Sequence, residues 1–212
     1  MIHRLGVAAI WMIILASLSA CSSTTVTGVW KKSDYVGPAF KSILVIALTE
    51  NTTNRIIWED KMAAQLLQSG VESITGSKAF GADDKITREE VLAYVKQHGT
   101  EAVLVTRLVD VAQEKTYYPP TTSYMGSYYG GSSYGYYNSF GSYYPRAYST
   151  VTSPGYTATL TTVLLESNLY QSSSQDLVWS LSSETFDPAS VNNLVESVGA
   201  KLAKSLRENG LI

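Results

Sequence analysis

Lys41-Ser42-Ile43-Leu44-Val45-Ile46-Ala47-Leu48 ends in six consecutive apolar residues, and that run decides the fold. A strand with one wet face alternates apolar and polar side chains. A strand apolar on both parities must be covered on both faces, as in a parallel sheet flanked by helices. The residues downstream of it supply such helices. Thr49–Asn54 is polar and turn-rich. From Arg55 to Ser69, Ile56, Met62, Ala63, Leu66 and Leu67 recur at helical spacings, which predicts an amphipathic helix stopped by Gly70. Val71–Phe80 is a weaker strand candidate and Gly81–Lys85 a loop. Thr87 and Glu90 form a capping-box pattern opening a helix over 88–98. Val91, Leu92 and Val95 are its buried stripe and His98-Gly99 its end. Glu101–Val111 reads as the next strand. Strand–helix–strand–helix–strand order predicts neighbouring parallel strands joined by right-handed crossovers.

The pattern then breaks. Eleven of the 15 tyrosines fall between Thr116 and Thr150, among Ser, Gly, Thr and Pro, with Arg146 as the single charge. Structureless stretches of this length are uncommon in compact domains and are usually functional or disordered. Residues 116–155 therefore read as a low-complexity insertion. Beyond it, Tyr156–Leu169 and Leu177–Phe186 are strand-like, and the polar turn 170–176 joins them into an antiparallel hairpin. Asp187 is placed to cap a last helix over 188–208, with Pro188 at its first position. Val191, Leu194, Val195, Val198, Leu202 and Leu206 form its apolar stripe, and Gly210 ends it. The expectation is one α/β domain over residues 40–212. It has a mixed sheet in two or three layers, ordered β-α-β-α-β, then a hairpin and a C-terminal helix, with a long Tyr/Gly/Ser-rich insertion.

The N-terminus has a different character. His3 and Arg4 precede an apolar stretch from Leu5 to Leu18, too short for a comfortable membrane span and laid out like a secretory signal. Leu18-Ser19-Ala20-Cys21 comes next, and Cys21 is the only cysteine. These four residues resemble the lipobox of bacterial lipoproteins. The resemblance implies that Leu18 and Ala20 fit the processing enzyme, that residues 1–20 are removed between Ala20 and Cys21, and that Cys21 carries acyl chains of the palmitate kind. Several chains, at about 0.8 kcal/mol per buried methylene, hold a protein on a bilayer. Ser22, where such lipoproteins retained at the inner membrane have Asp, implies an outer-membrane anchor facing the periplasm. Residues 21–39 read as the lipidated N-terminus and tether, with Ser22–Thr25 as flexible linker. No second cysteine is available for an internal disulfide, so the core must hold the fold.

Three segments together are similar to a group of envelope α/β domains. They are Lys41 to Gly70; Gly99-Thr100-Glu101-Ala102-Val103-Leu104-Val105; and the hairpin ending Asp176-Leu177-Val178-Trp179-Ser180. The group contains the N-terminal domain of the Tol-system translocation protein, the curli-secretion lipoprotein, and the lipoprotein activators of penicillin-binding proteins. The likeness covers roughly 40–110 and 156–210. Two departures stand out: the turn Gln171–Asp176 lacks the group's usual glycine, and the Tyr-rich insertion is foreign to it. No pair of membrane-spanning hairpins of the curli-pore type is evident.

Catalytic chemistry is sparse. The net charge of −2 with no basic stripe argues against nucleic acid. His98, at a helix end, suits the helix dipole as a surface residue. No histidine pair or cysteine cluster offers a metal site, and no cofactor is expected beyond the lipid on Cys21. The pairs Asp83-Asp84 and Glu89-Glu90 fall in a loop and a first helical turn, where acids are favoured without a catalytic role. Trp179, alternating with Leu177 and Leu181, reads as core. Trp58 has two readings, core edge or partner contact. The strongest binding signal is the insertion, through Tyr117, Tyr118, Tyr124, Tyr128, Tyr129, Tyr134, Tyr136, Tyr137, Tyr143 and Tyr144. Tyrosine offers a broad apolar face and a hydroxyl at small rotamer cost. The expectation is a non-enzymatic envelope module for binding or assembly. Its partners would be the outer membrane, through the anchor, and an envelope protein or peptidoglycan-associated partner, with self-association a further outcome of such tracts. The alternatives are an oligomeric secretion accessory of the curli type and an enzyme acting on envelope glycans through a carboxylate pair.

Overall fold

The computed structural model describes residues 23–81, 86–124 and 150–212. The chain divides into a larger unit, residues 1–112 with 161–212, and a smaller one, Gln113–Leu160. Strands are β1 (Ser23–Lys31), β2 (Ser42–Leu48), β3 (Glu72–Thr75), β4 (Ala102–Tyr118), β5 (Thr121–Tyr124), β6 (Thr150–Ser153), β7 (Tyr156–Gln171) and β8 (Leu177–Phe186). Helices are α1 (Thr52–Gln68), α2 (Gly76–Phe80), α3 (Arg88–His98) and α4 (Val191–Glu208).

The main sheet runs β1-β8-β7-β4-β2-β3. β2 pairs in parallel with β3 and with β4, as the strand–helix–strand order requires. β7 and β8 form the expected antiparallel hairpin. β2 is buried on both faces, and its two parities serve two cores. Ile43, Val45 and Ala47 pack with Trp58, Met62 and Leu66 of α1 and Val195, Val198, Leu202 and Leu206 of α4. Leu44 and Ile46 pack with Val95 of α3 and Val103 of β4. The sheet is thus three layers deep at β2. The α3 layer does not extend over β8, whose Ser182, Glu184 and Phe186 are exposed.

Several expectations are corrected. The segment read as a tether contains β1, which pairs along β8 from Ser23↔Phe186 to Lys31↔Trp179. Thr24 is buried there, its hydroxyl 2.8 Å from that of Thr185. The weak strand 71–80 is a four-residue strand followed by the short helix α2. The last helix starts at Val191, not 188, because Ser190 caps it and accepts from the Asn193 N–H at 3.2 Å. Asp187 makes a turn instead, with φ 44° and its N–H donating to the Thr161 carbonyl at 2.6 Å. On α1 the buried stripe is Arg55, Trp58, Glu59, Met62 and Leu66, whereas Leu67 is 65% exposed.

In the smaller unit, β5 and β6 pair antiparallel from Thr121↔Ser153 to Tyr124↔Thr150. The low-complexity insertion thus includes a two-stranded ribbon formed by segments near its two ends. Tyr118 and Tyr156 stack with centroids 5.0 Å apart. Gly155 is required for close approach, since a Cβ there would lie 2.7 Å from the Tyr117 hydroxyl and 2.9 Å from Pro120. Asp83, Asp84 and residues 125–149 lie outside the described residues, as do residues 1–22.

Candidate functional site

α3 covers only part of its sheet face, and a groove runs beside it. The capping box fixes the start of the helix. Glu90 N–H donates to the Thr87 hydroxyl oxygen at 3.3 Å, and Thr87 N–H donates to Glu90 Oε2 at 2.8 Å. The Thr87 backbone N–H and, next, its hydroxyl hold the Glu90 carboxyl below its ordinary value. Gly99, with φ 67°, ends the helix. Its apolar stripe is narrow: Val95 is buried, but Val91 and Leu92 remain half-exposed.

Two adjoining cavities make up the groove. One, about 510 Å³, has a floor of Ile46, Leu48, Val103 and Val105 and walls of Val91, Leu92 and Tyr170. The other, about 620 Å³, continues past Leu92 and Val95 to Tyr35, Phe40, Lys96 and Glu101. Arg88 Nη2 donates to Gln175 Oε1 at 2.6 Å, joining the helix to the β7–β8 turn at the rim. Gln175 stands at φ 63°, in the left-handed region that favours glycine. Glu101 ties the far end together. Its Oε2 accepts from Lys41 N–H at 2.6 Å, its N–H donates to Ser42 Oγ at 3.0 Å, and its carbonyl accepts from Ser172 N–H at 2.9 Å. Burial, and then the charge of Glu101, push the Tyr35 hydroxyl up. That hydroxyl donates to the Pro38 carbonyl at 2.9 Å. Among the described residues, Glu101 is the single carboxylate lining these cavities. An apolar floor with a hydroxyl and amide rim has the composition of a ligand pocket. Acid–base hydrolysis of a glycan needs a second carboxyl facing the first.

The sequence-derived sites fare differently. Tyr117 and Tyr118 are exposed, in the smaller unit. For Tyr124 only the backbone is described, and Tyr128, Tyr129, Tyr134, Tyr136, Tyr137, Tyr143 and Tyr144 fall outside the described residues, as do Ala20 and Cys21. Trp58 is 6% exposed and sits in the main core, which corrects the partner-contact reading. Trp179 is core, as expected. His98 lies on the surface, stacked on Tyr94 with centroids 4.0 Å apart. Among the described residues no cluster of His, Cys, Asp and Glu is arranged to hold a metal ion. The groove itself was missed; its one sequence signal is that α3 carries a stripe too narrow to cover the sheet.

A second feature escaped the sequence. Glu59, fully buried, accepts from the N–H of Ala47 at 3.0 Å and of Ser77 at 2.7 Å. It joins α1 to the end of β2 and the start of α2.

No protein-family model and no curated protein matches the chain. Solved structures do resemble it. A PelC dodecamer from Paraburkholderia phytofirmans is 14% identical with a TM-score of 0.44, over 84% of this chain and 94% of that one. Lipoprotein GNA1162 from Neisseria meningitidis is 16% identical with a TM-score of 0.43, over 81% and 99%. At such scores the likeness assigns neither family nor function.

Proposed function

We propose that this chain is a lipid-anchored, non-enzymatic binding or assembly module of the bacterial envelope, held on the outer membrane and facing the periplasm. The observation that carries the reading is how little chain separates anchor from fold. Cys21, the last residue of the lipobox-like stretch, is followed by Ser22 alone before β1 begins at Ser23. An acylated Cys21 holds the larger unit directly at the membrane surface. The groove beside α3 supplies the binding face: its apolar floor and amide rim suit an amphipathic segment of an envelope partner. The exposed tyrosines of the smaller unit are a second contact surface.

The test is Cys21→Ser in the full chain, expressed in a Gram-negative host fed an alkyne fatty acid. Loss of label and accumulation of unprocessed or misplaced protein is the expected result. An unmodified Cys21 in the mature native protein, read by mass spectrometry, overturns the reading. Size analysis of the detergent-solubilised protein decides whether the module works as a homo-oligomer.

A further inference from the structure

We infer that the end of the larger unit where β1 begins, with exposed Val109, Val111 and Phe186 on one face of its sheet, lies against the lipid surface. The inference rests on the anchor reading above and adds an orientation to it. Register supplies the first argument. Ser23 pairs with Phe186, and Phe186 with Thr162 on its other side. Ser172 N–H donates to the Glu101 carbonyl at 2.9 Å, and the Thr106 and Ser167 hydroxyls meet at 2.9 Å, so β4 and β7 run antiparallel. That register, continued, sets Val111 level with Thr162. Cys21 lies two residues before Ser23, and two residues span at most about 7 Å. Acyl chains therefore leave the protein beside Phe186, with Val111 at the same level about 14 Å across the sheet.

Exposure is the second argument. Phe186 is 49% exposed, and Val109 and Val111, on the same sheet face, are exposed to a similar degree; Leu108 faces the other side, towards Val191 and Leu194 of α4. All three lie within two residues of the Ser23 level, roughly 7 Å along the strands. A cluster of large apolar side chains left in water beside an acyl anchor is a surface that the interface of the bilayer covers. Charge selects the lipid. On this face Glu184 lies two residues from Phe186 while Arg107 and Glu166 pair with each other, so a zwitterionic surface suits it better than an anionic one.

Because Cys21 is the only cysteine and would be acylated, an introduced cysteine gives a single labelling site. Val111→Cys and Phe186→Cys, and as controls Val36→Cys and Leu67→Cys, would be made in the full-length lipidated protein. The controls are exposed apolar positions near the start of β2, at the opposite end. Each is labelled with bimane and reconstituted in phosphatidylcholine vesicles, after confirming an unchanged melting temperature. At 111 and 186, quenching by doxyl-labelled lipid should be at least twofold stronger than at the controls, and quenching by aqueous iodide at least twofold weaker. Equal quenching at all four sites in vesicle-bound protein overturns the orientation while leaving the anchor intact. Iodide protection at 111 and 186 without doxyl quenching assigns the cluster to a protein contact and also overturns it. Protein that does not float with the vesicles refutes the anchor, and the orientation with it.

Discussion

Replacing Glu59 should destabilise the larger unit more than any surface substitution. The carboxyl is fully buried and satisfies two backbone N–H groups, those of Ala47 and Ser77. Glu59→Ala removes both acceptors and strands the buried Ala47 N–H and the part-buried Ser77 N–H. Each orphaned buried donor costs about 1–3 kcal/mol, so the pair costs about 4 kcal/mol, to which the space left beside Gly76 adds. For a chain of this size 1 kcal/mol shifts Tm by about 2–4 °C, which predicts a fall of roughly 8–16 °C. Glu59→Gln keeps the shape and one acceptor but turns an NH₂ toward the second donor. It should lose about half as much. Circular dichroism melting of both variants beside the parent checks the ladder. A Glu59→Ala protein melting within 2 °C of the parent would refute the claim that this side chain joins α1, β2 and α2.

Gln175→Gly should be more stable than Gln175→Ala by about 1 kcal/mol, since both lose the bond from Arg88 and glycine alone relaxes the positive φ; equal urea midpoints would contradict this. Leu202→Ala, fully buried between α4 and the sheet, should cost about 2–5 kcal/mol, while Leu67→Ala should change stability by less than about 0.5 kcal/mol, both read by urea unfolding. Stability should also decline in acid. Thr87 holds Glu90 below its ordinary 4.5, and hydrogen bonds from Asn168 and then Arg107 lower Glu166 despite some burial. A depressed carboxyl contributes stability that is complete above 4.5 and is lost as pH falls through the lowered folded value. The urea midpoint should fall below pH 4.5, less steeply in a Glu90→Gln, Glu166→Gln double variant, and a parallel decline would refute the assignment.

What the sequence revealed and what it hid fall on two sides of one physical divide. β2, the capping box at Thr87 and the 171–176 hairpin are specified by neighbours a few residues apart, and all three stand where periodicity and cap chemistry put them. β1 does not. Ser23-Thr24-Thr25-Val26-Thr27 lacks an apolar alternation, and what makes it a strand is β8, more than 150 residues downstream. The stripe on α1 was set off-phase because Arg55 and Glu59 are charged yet buried, which contradicts a hydrophobicity count. Asp187-Pro188 carries a start signal the last helix does not use, because Asp187 N–H is spent on Thr161 and Ser190 caps the helix instead. The groove arises from how much sheet α3 leaves uncovered, a tertiary quantity that no local pattern encodes.

Strand β1 has a consequence for the timing of assembly. A chain made from its N-terminus presents residues 23–31 first, yet their backbone partner is complete only when Phe186 has appeared, and Thr24 also takes a bond from Ser197 on α4. Pairings this distant in sequence pay their loop-closure entropy before any contact repays it, and they form late. For nearly the whole of synthesis the N-terminal segment is an open thread. Any enzyme that must grip it extended has that interval in which to act. Zipping of β1 onto β8 then closes the interval, so the strand order of the sheet sets how late in synthesis this segment stops being accessible.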